Sequence, residues 1–418
     1  MNQCLESYRV LDLTEGGCML CGRALADLGA DVIKVEPLGG SPSRSIPPFL
    51  HNVVHAERSL FFFAYNANKR SITLNIESAD GQELLKSLVK SVDFLLESFP
   101  AGYMDKLGLS YEVLRQINPR IIVVSITPFG QTGPKVDYRM SELTNLASSG
   151  ALYLTGDPDR PPVWLGQLNH SELGAAQEAC VGALVASWHR ESTGEGQHVD
   201  VSIQACTLEL LQTPPESFDL TGHVFTRVGG KWIIGGRGIG RETVFPCKDG
   251  YVSFTVFGGG ITESRSSKAI VNWMAEDGMA PEWLQQLDWP NDYDASKVTQ
   301  ETVDRVEAVF ARFLLTKAKA ELFERSFREG VILAPVTSTK DIREHPQLEA
   351  RDFWQQVEHP ELDGAIIHYP GPFLKLSETP MTVRRRPPLI GEHNEEVYLN
   401  ELGLSASELA ALRTAEII

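Results

Sequence analysis

The hexapeptide Leu168-Asn169-His170-Ser171-Glu172-Leu173 puts a histidine and a carboxylate two residues apart, ahead of a long run of alanine, valine and leucine. A histidine so close to an acid offers general-base chemistry. Glu172 also suits the first turn of a helix, with Asn169 or Ser171 as N-cap and the carboxylate favoured by the helix dipole. Cations gather at Asn68-Lys69-Arg70, at Lys106 before Leu107-Gly108-Leu109, and at Lys135 and Arg139 around Asp137. Such cations form charge-assisted bonds to phosphate, whereas a lone Lys or Arg beside a loop is ordinarily a solvated surface group. Two glycine-rich stretches, Gly235-Gly236-Arg237-Gly238-Ile239-Gly240 and Gly258-Gly259-Gly260, fit either a loop that closes over a site or plain hairpin turns. Arg237 and Arg241 could grip a carboxylate bidentately. Cys18-x-x-Cys21 lacks a second pair or a nearby histidine, so it reads as buried thiols rather than a metal or redox motif.

The elements that must hold these groups are best marked at the start. Val10, Leu11 and Leu13 form an apolar strand pattern, followed by a Glu15-Gly16-Gly17 turn. Leu20, Ala24, Leu25 and Leu28 have helical spacing, and Val32, Ile33 and Val35 form a second strand. This β-α-β unit predicts a Rossmann-like parallel sheet in an α/β fold. It has no G-x-G-x-x-G turn, which argues against a dinucleotide. Further on, 81–91 reads as an amphipathic helix, 121–126 as a buried strand, 173–189 as a long buried helix and 198–201 as a strand. Residues 222–260 change character to short β-rich runs broken by glycine. Helical patterns follow at 267–276 and 303–323, then a strand at 331–336, short strands within 353–374 and a terminal helix at 405–411.

The chain has 418 residues, more than one ordinary core holds, so two domains are expected. Hydrophobic residues make up 42% and charged residues 22%, as in a soluble globular protein, and no apolar run reaches the roughly 18 residues of a membrane span. The opening MNQCLESYRVLDL has no basic leader before an apolar core, and six cysteines are too few for a disulfide framework of this length. A reduced, cytoplasmic protein is therefore expected. A net charge of −17 disfavours nucleic acid and anionic membrane as partners. No metal and no tightly bound cofactor are expected.

Five segments occur in a telling order: ADLGADVIKVE, NANKRSITLNI, ITPFGQTGP, TGDPDRPPV and PPLIGEHNEEV. Together they resemble the class III coenzyme A transferases, from about residue 8 to about residue 400. The resemblance implies a large Rossmann-like domain made from 1–215 and 336–418, a smaller α+β domain at 216–335, and two chains interlocked as a dimer. It implies an acyl-CoA thioester and a carboxylic acid as substrates, with Asn68, Lys69, Arg70, Ser98, Lys106 and Arg139 lining the CoA. The family nucleophile is an aspartate about ten residues before a glycine of the long helix. Counting back from Gly182 lands on Glu172, one methylene longer, as the implied catalytic residue.

The resemblance has departures. Ser98-Phe99 stands where the family has Asn-Phe, Pro37-Leu38 where an arginine is common, and the turn after the first strand is short and carries the acid Glu15. The racemases of this fold use a histidine from 125–140, where this chain has none. Val271 to Ala280 resembles members from anaerobic aromatic breakdown, including benzylsuccinate CoA-transferase, whose two homologous subunits include only one with the aspartate. Two expectations follow: an active transferase, or a non-catalytic subunit paired with a homologous chain, as a homodimer, heterodimer or heterotetramer.

Overall fold

The computed structural model describes residues 3–164, 166, 168–234 and 238–418. The chain forms two compact units, one of Met1–Leu152, Leu165–Gly222 and Pro346–Ile418, the other of Tyr153–Trp164 and His223–His345.

In the first unit six strands form one parallel sheet: β1 Arg9–Leu13, β2 Asp31–Glu36, β3 Arg70–Thr73, β4 Phe94–Glu97, β5 Ile122–Thr127 and β6 His198–Ser202. Their spatial order is β3-β2-β1-β4-β5-β6. Alternate residues feed two cores, as the two-residue period of a strand requires. Leu11, Leu13, Ile33, Leu95 and Val123 join a core with Leu84, Leu85 and Leu88 of helix Ala79–Val89. Val10, Val32, Phe94, Ile122 and Val124 pack on the other face with residues of helices Met19–Asp27 and His170–Thr193. Both faces are covered, which is why these strands read as nearly continuous apolar runs.

The chain's last segment closes the outer edge of β3. Asn394 accepts the Thr73 N–H (2.9 Å) and donates to its hydroxyl (2.8 Å), and the Tyr398 hydroxyl donates to the Thr73 carbonyl (2.8 Å). A separate antiparallel hairpin, β12 (Trp354–His359) with β13 (Ala365–Pro370), belongs to this unit.

The second unit is mixed. The pair β7 (Lys231–Ile234) and β8 (Ile239–Glu242) is antiparallel, as is the sheet β11-β10-β9 of Leu333–Pro335, Gly250–Phe254 and Val244–Cys247. The pattern at 303–323, which reads as one helix in the sequence, is two: Gln300–Leu314 and Lys319–Glu329. The break forms where the Thr316 hydroxyl donates to the Phe313 carbonyl (2.7 Å) and the Lys317 carbonyl accepts the Lys248 N–H (2.9 Å). Phe310, Phe313 and Leu322 thereby enter one core.

Candidate active site

Helix His170–Thr193 begins at the C-terminal side of the sheet and carries Glu172 in its first turn. The carboxylate is half-buried, and its Oε2 accepts the Gly17 N–H at 2.7 Å and the Asn169 amide at 3.1 Å. No hydrogen bond reaches Oε1 among the described residues. The turn at Gly16–Cys18 approaches this closely because Gly16 and Gly17 carry no side chains. Gly16 has φ +60°, and a Cβ there would lie 2.7 Å from Glu172 Oε2; one on Gly17 would lie 2.8 Å from Glu172 Cβ. Burial and then the Glu172 charge push the Tyr65 phenol up, so a neutral hydroxyl accompanies the carboxylate. His170 is exposed.

Beneath the turn lies a buried ion pair. Lys69 Nζ donates to Asp12 Oδ2 (2.7 Å), to the Met19 carbonyl (2.9 Å) and to Asn66 Oδ1 (3.0 Å), and both charged groups are fully buried. Burial opposes the charge on Asp12, but Lys69 and Lys34 overcome it and hold the carboxyl below its usual range. Lys34 faces Asp12 in the β1–β2 register and donates to the Thr14 carbonyl. Asp12 Oδ1 accepts the Thr14 N–H at 2.9 Å. The strand end that feeds the turn is therefore fixed by charge.

The geometry departs from an open cationic face at 68–70. Lys69 is saturated as described. Arg70 pairs with Asp31 (2.5 Å), Glu401 (2.5 Å) and Glu396 (3.0 Å), joining β3 to β2 and the C-terminal segment. Asn68 adopts φ 67°, donates to Asp27 (2.6 Å) and accepts the Arg384 N–H (2.6 Å). Ser98 does lie beside the turn, where its hydroxyl accepts the Glu15 N–H at 2.8 Å. Lys106 and Arg139 are exposed, with no ion pair among the described residues. Gly235, Gly236 and Arg237 of the first glycine-rich stretch lie outside the described residues.

A cavity of 340 Å³ opens at the C-terminal ends of β1, β2 and β3, lined by Leu13, Glu15, Glu36, Leu74, Phe99 and Tyr103 among others. Strand order reverses between β1 and β4, and open α/β sheets bind ligands outside the strand ends at such a point. Phe99 and Tyr103, 4.8 Å apart, supply aromatic surface. Glu36 is neutralised by Arg44, whose guanidinium contacts both carboxylate oxygens (2.6 and 2.8 Å). Among the described residues no cluster of three or more His, Cys, Asp or Glu is placed to hold a metal, and no helix is long and apolar enough to cross a membrane.

The Glu172 carboxylate is held by a glycine turn whose preceding residue, Glu15, lines the cavity. Residues 5–394 match the family model described as CoA-transferase family III. The chain belongs to CoA-transferase family III. Family members similar to it include succinyl-CoA:(R)-benzylsuccinate CoA-transferase subunit BbsE of Thauera aromatica, 36% identical over 98% of this chain and 97% of that protein. Succinyl-CoA–D-citramalate CoA-transferase of Chloroflexus aurantiacus is 32% identical over 99% of this chain and 98% of its own length. Among solved structures, a CAIB/BAIF family protein from Brucella suis is 26% identical with a TM-score of 0.81, covering 96% of this chain and all of that one.

Within this family III chain, sequence reasoning missed the Gly17 donor, Tyr65 and the Asp12–Lys69–Lys34 charges. One signal was present: Asp12 and Lys34 are opposite charges inside two otherwise apolar, adjacent strands, where burial demands that they pair.

Proposed function

We propose that this chain transfers coenzyme A from an acyl-CoA donor such as succinyl-CoA to an organic acid, with Glu172 as the covalent carboxylate. Attack of Glu172 on the thioester carbonyl expels CoA thiolate and forms a mixed anhydride. The thiolate then attacks the Glu172 carbonyl carbon, releasing the donor acid and leaving a glutamyl-CoA thioester. The acceptor carboxylate attacks that thioester, breaking its C–S bond, expelling CoA thiolate and forming a second mixed anhydride. The thiolate then attacks the acceptor's acyl carbon, giving the product acyl-CoA and freeing the Glu172 carboxylate. Splitting the exchange in this way replaces one difficult step by easier ones.

The observation that carries the reading is the Gly17 N–H on Glu172 Oε2 at 2.7 Å. With Oε1 attacking, Oε2 becomes the carbonyl oxygen of the glutamyl intermediates and bears the negative charge whenever that carbon is attacked. A donor already in place there stabilises the charge without reorganisation. CoA is assigned to the 340 Å³ cavity, with Phe99 and Tyr103 against its apolar parts and the exposed Lys106 and Arg139 toward its phosphates. Lys69 and Arg70 act from below, by fixing β1 and β3. The acceptor is assigned to the aromatic-derived acids on the similarity to the benzylsuccinate enzyme's subunit, and the setting is cytoplasmic. Incubation with succinyl-CoA and hydroxylamine tests the nucleophile: Glu172 becomes a hydroxamate, and Glu172→Gln loses both the adduct and exchange while keeping its fold. An active preparation with unmodified Glu172 removes the role.

A second reading is a subunit that keeps the fold while a homologous partner performs the chemistry. It is favoured by a glutamate in place of the family aspartate and by a relative named as a subunit. Helix His170–Thr193 buries Ala175, Ala176, Ala179 and Ala183 yet presents Val181, Val185 and Trp188 to solvent, the last 81% exposed. Leu210, Phe218 and Leu220 are exposed nearby in sequence. An apolar surface of this kind marks a protein interface, and both readings place a second family chain upon it.

A further inference from the structure

We propose that Glu15 is a positioning residue that sets the Gly16–Gly17 turn onto Glu172, an inference that rests on Glu172 being the nucleophile. Glu15 precedes the turn in extended conformation (φ −126°, ψ 167°) and its N–H is held by Ser98. Its carboxylate Oε2 accepts from the Ser43 hydroxyl at 2.6 Å and from the Ser41 hydroxyl. Ser43 Oγ in turn accepts the Gly16 N–H at 2.9 Å. Side chain and following amide therefore close a ring through one serine.

The direction of every bond in this ring is set by the carboxylate. An ionised carboxylate only accepts, so Ser43 must donate to Glu15 and keep its lone pair for Gly16. Ser41 likewise donates to Glu15 and accepts the Ser43 N–H at 3.1 Å. The serine segment is anchored independently, because the Ser41 N–H donates to Glu36 at 2.8 Å and Arg44 braces Glu36. Lys34 Nζ, 3.4 Å from Glu15 Oε1, is wholly buried and supplies the countercharge. The turn is thus tied to the end of β2 through Ser41 and Glu36, and to the residue after β4 through Ser98. The Gly17 N–H leaves that frame aimed at Glu172. A displacement of about 1 Å at a reacting group costs about 100-fold in rate, so a residue that locks this amide acts on the chemical step. Glu15 also lines the cavity assigned to CoA, but its carboxylate is taken up by Ser41, Ser43 and Lys34, so a near-isosteric glutamine leaves CoA affinity largely as it was.

The alternative, that Glu15 only neutralises Lys34, predicts a loss of stability without a change at Gly17. Three measurements separate the two on the full-length protein in its active assembly. Glu15→Gln, nearly isosteric but able to donate, should lower kcat about 10- to 100-fold with the KM for succinyl-CoA within about 3-fold. Ser43→Ala should do the same, and the double variant should be no worse than either single one, because both act through one turn. Hydrogen exchange of the Gly16 and Gly17 amides should quicken at least about 10-fold in both variants, and in Ser43→Ala, which keeps the Glu15–Lys34 pair, at unchanged Tm. Unchanged kcat, a loss lying wholly in KM, additive losses, or unaltered exchange at Gly16 and Gly17 would each overturn the proposal. If wild type forms no hydroxamate at Glu172, the catalytic reading fails on its own, and the exchange measurement still decides whether Glu15 orders the turn.

Discussion

Gly17 and Glu172 are 155 residues apart in the chain and 2.7 Å apart in space. The contact joins the turn after the first strand to the first turn of the longest described helix, so the candidate nucleophile is oriented by an element near the start of the chain. Asn169, three residues before it, adds the only other hydrogen bond to that carboxylate among the described residues.

Gly16→Ala tests that approach. A Cβ at φ +60°, 2.7 Å from Glu172 Oε2, must displace either the turn or the carboxylate. Exchange activity should fall about 100-fold, with the melting temperature reduced by the strain of a left-handed alanine. Steady-state kinetics with succinyl-CoA checks it, and wild-type kcat in this variant would contradict the assigned geometry.

Lys69 and the exposed cations should separate cleanly. Lys69→Met leaves Asp12 buried without its partner, and breaking a buried pair costs about 3–5 kcal/mol, read in urea unfolding. Lys106→Ala and Arg139→Ala should unfold like wild type but bind CoA about 10- to 150-fold more weakly by calorimetry, the loss of one charge-assisted bond. Normal CoA affinity in both would remove them from the site.

Glu97 gives stability a pH dependence of definite sign. Burial pushes its carboxyl up to about 7, against hydrogen bonds from Ser125 and the Phe99 N–H. The folded state then holds a proton that the unfolded chain, with an ordinary carboxyl near 4.5, has released. Stability from this group is lost as pH rises from about 4.5 to about 7. Glu307, also raised to about 7 by burial, adds a contribution of the same sign. Thermal melts from pH 5 to 8 should fall less steeply in Glu97→Gln than in wild type; parallel curves would refute the assignment.

Association should be testable at Trp188. Light scattering should show wild type above its 46.2 kDa monomer mass, alone or with a co-expressed aspartate-bearing homologue. Trp188→Glu should weaken the assembly and make its melting more dependent on concentration. A wild-type monomer that persists with and without the homologue would remove the partner chain from both functional readings.

The sheet was legible because its chemistry is local. The apolar runs of β1, β2 and β5 and the spacing of Leu20 to Leu28 announce themselves within a few residues, and five ordered motifs lead to the family. The long helix was legible too: its apolar period starts only at Leu173, because His170, Ser171 and Glu172 carry none, but the capping pattern puts Glu172 in the first turn, and Asn169 is the N-cap. The roles of Lys69 and Arg70 were not legible. A cation beside a strand looks the same whether it meets phosphate or a carboxylate, and their partners Asp12, Asp31 and Glu401 lie on other elements. The Glu15 ring was hidden for the same reason, since Ser41 and Ser43 sit in a loop without periodicity. The break at 315–318 was missed because Phe313 and Leu322 continue to look helical across it.

The C-terminal cover on β3 has a consequence for biosynthesis. Asn394 and Thr73 are 321 positions apart, so nearly all of the polypeptide must leave the ribosome before that edge is sealed. Until then a nascent chain displays unpaired strand groups, the surface that recruits other strands. A holdase that shields the β3 edge during synthesis would raise the yield of native protein without touching the finished enzyme.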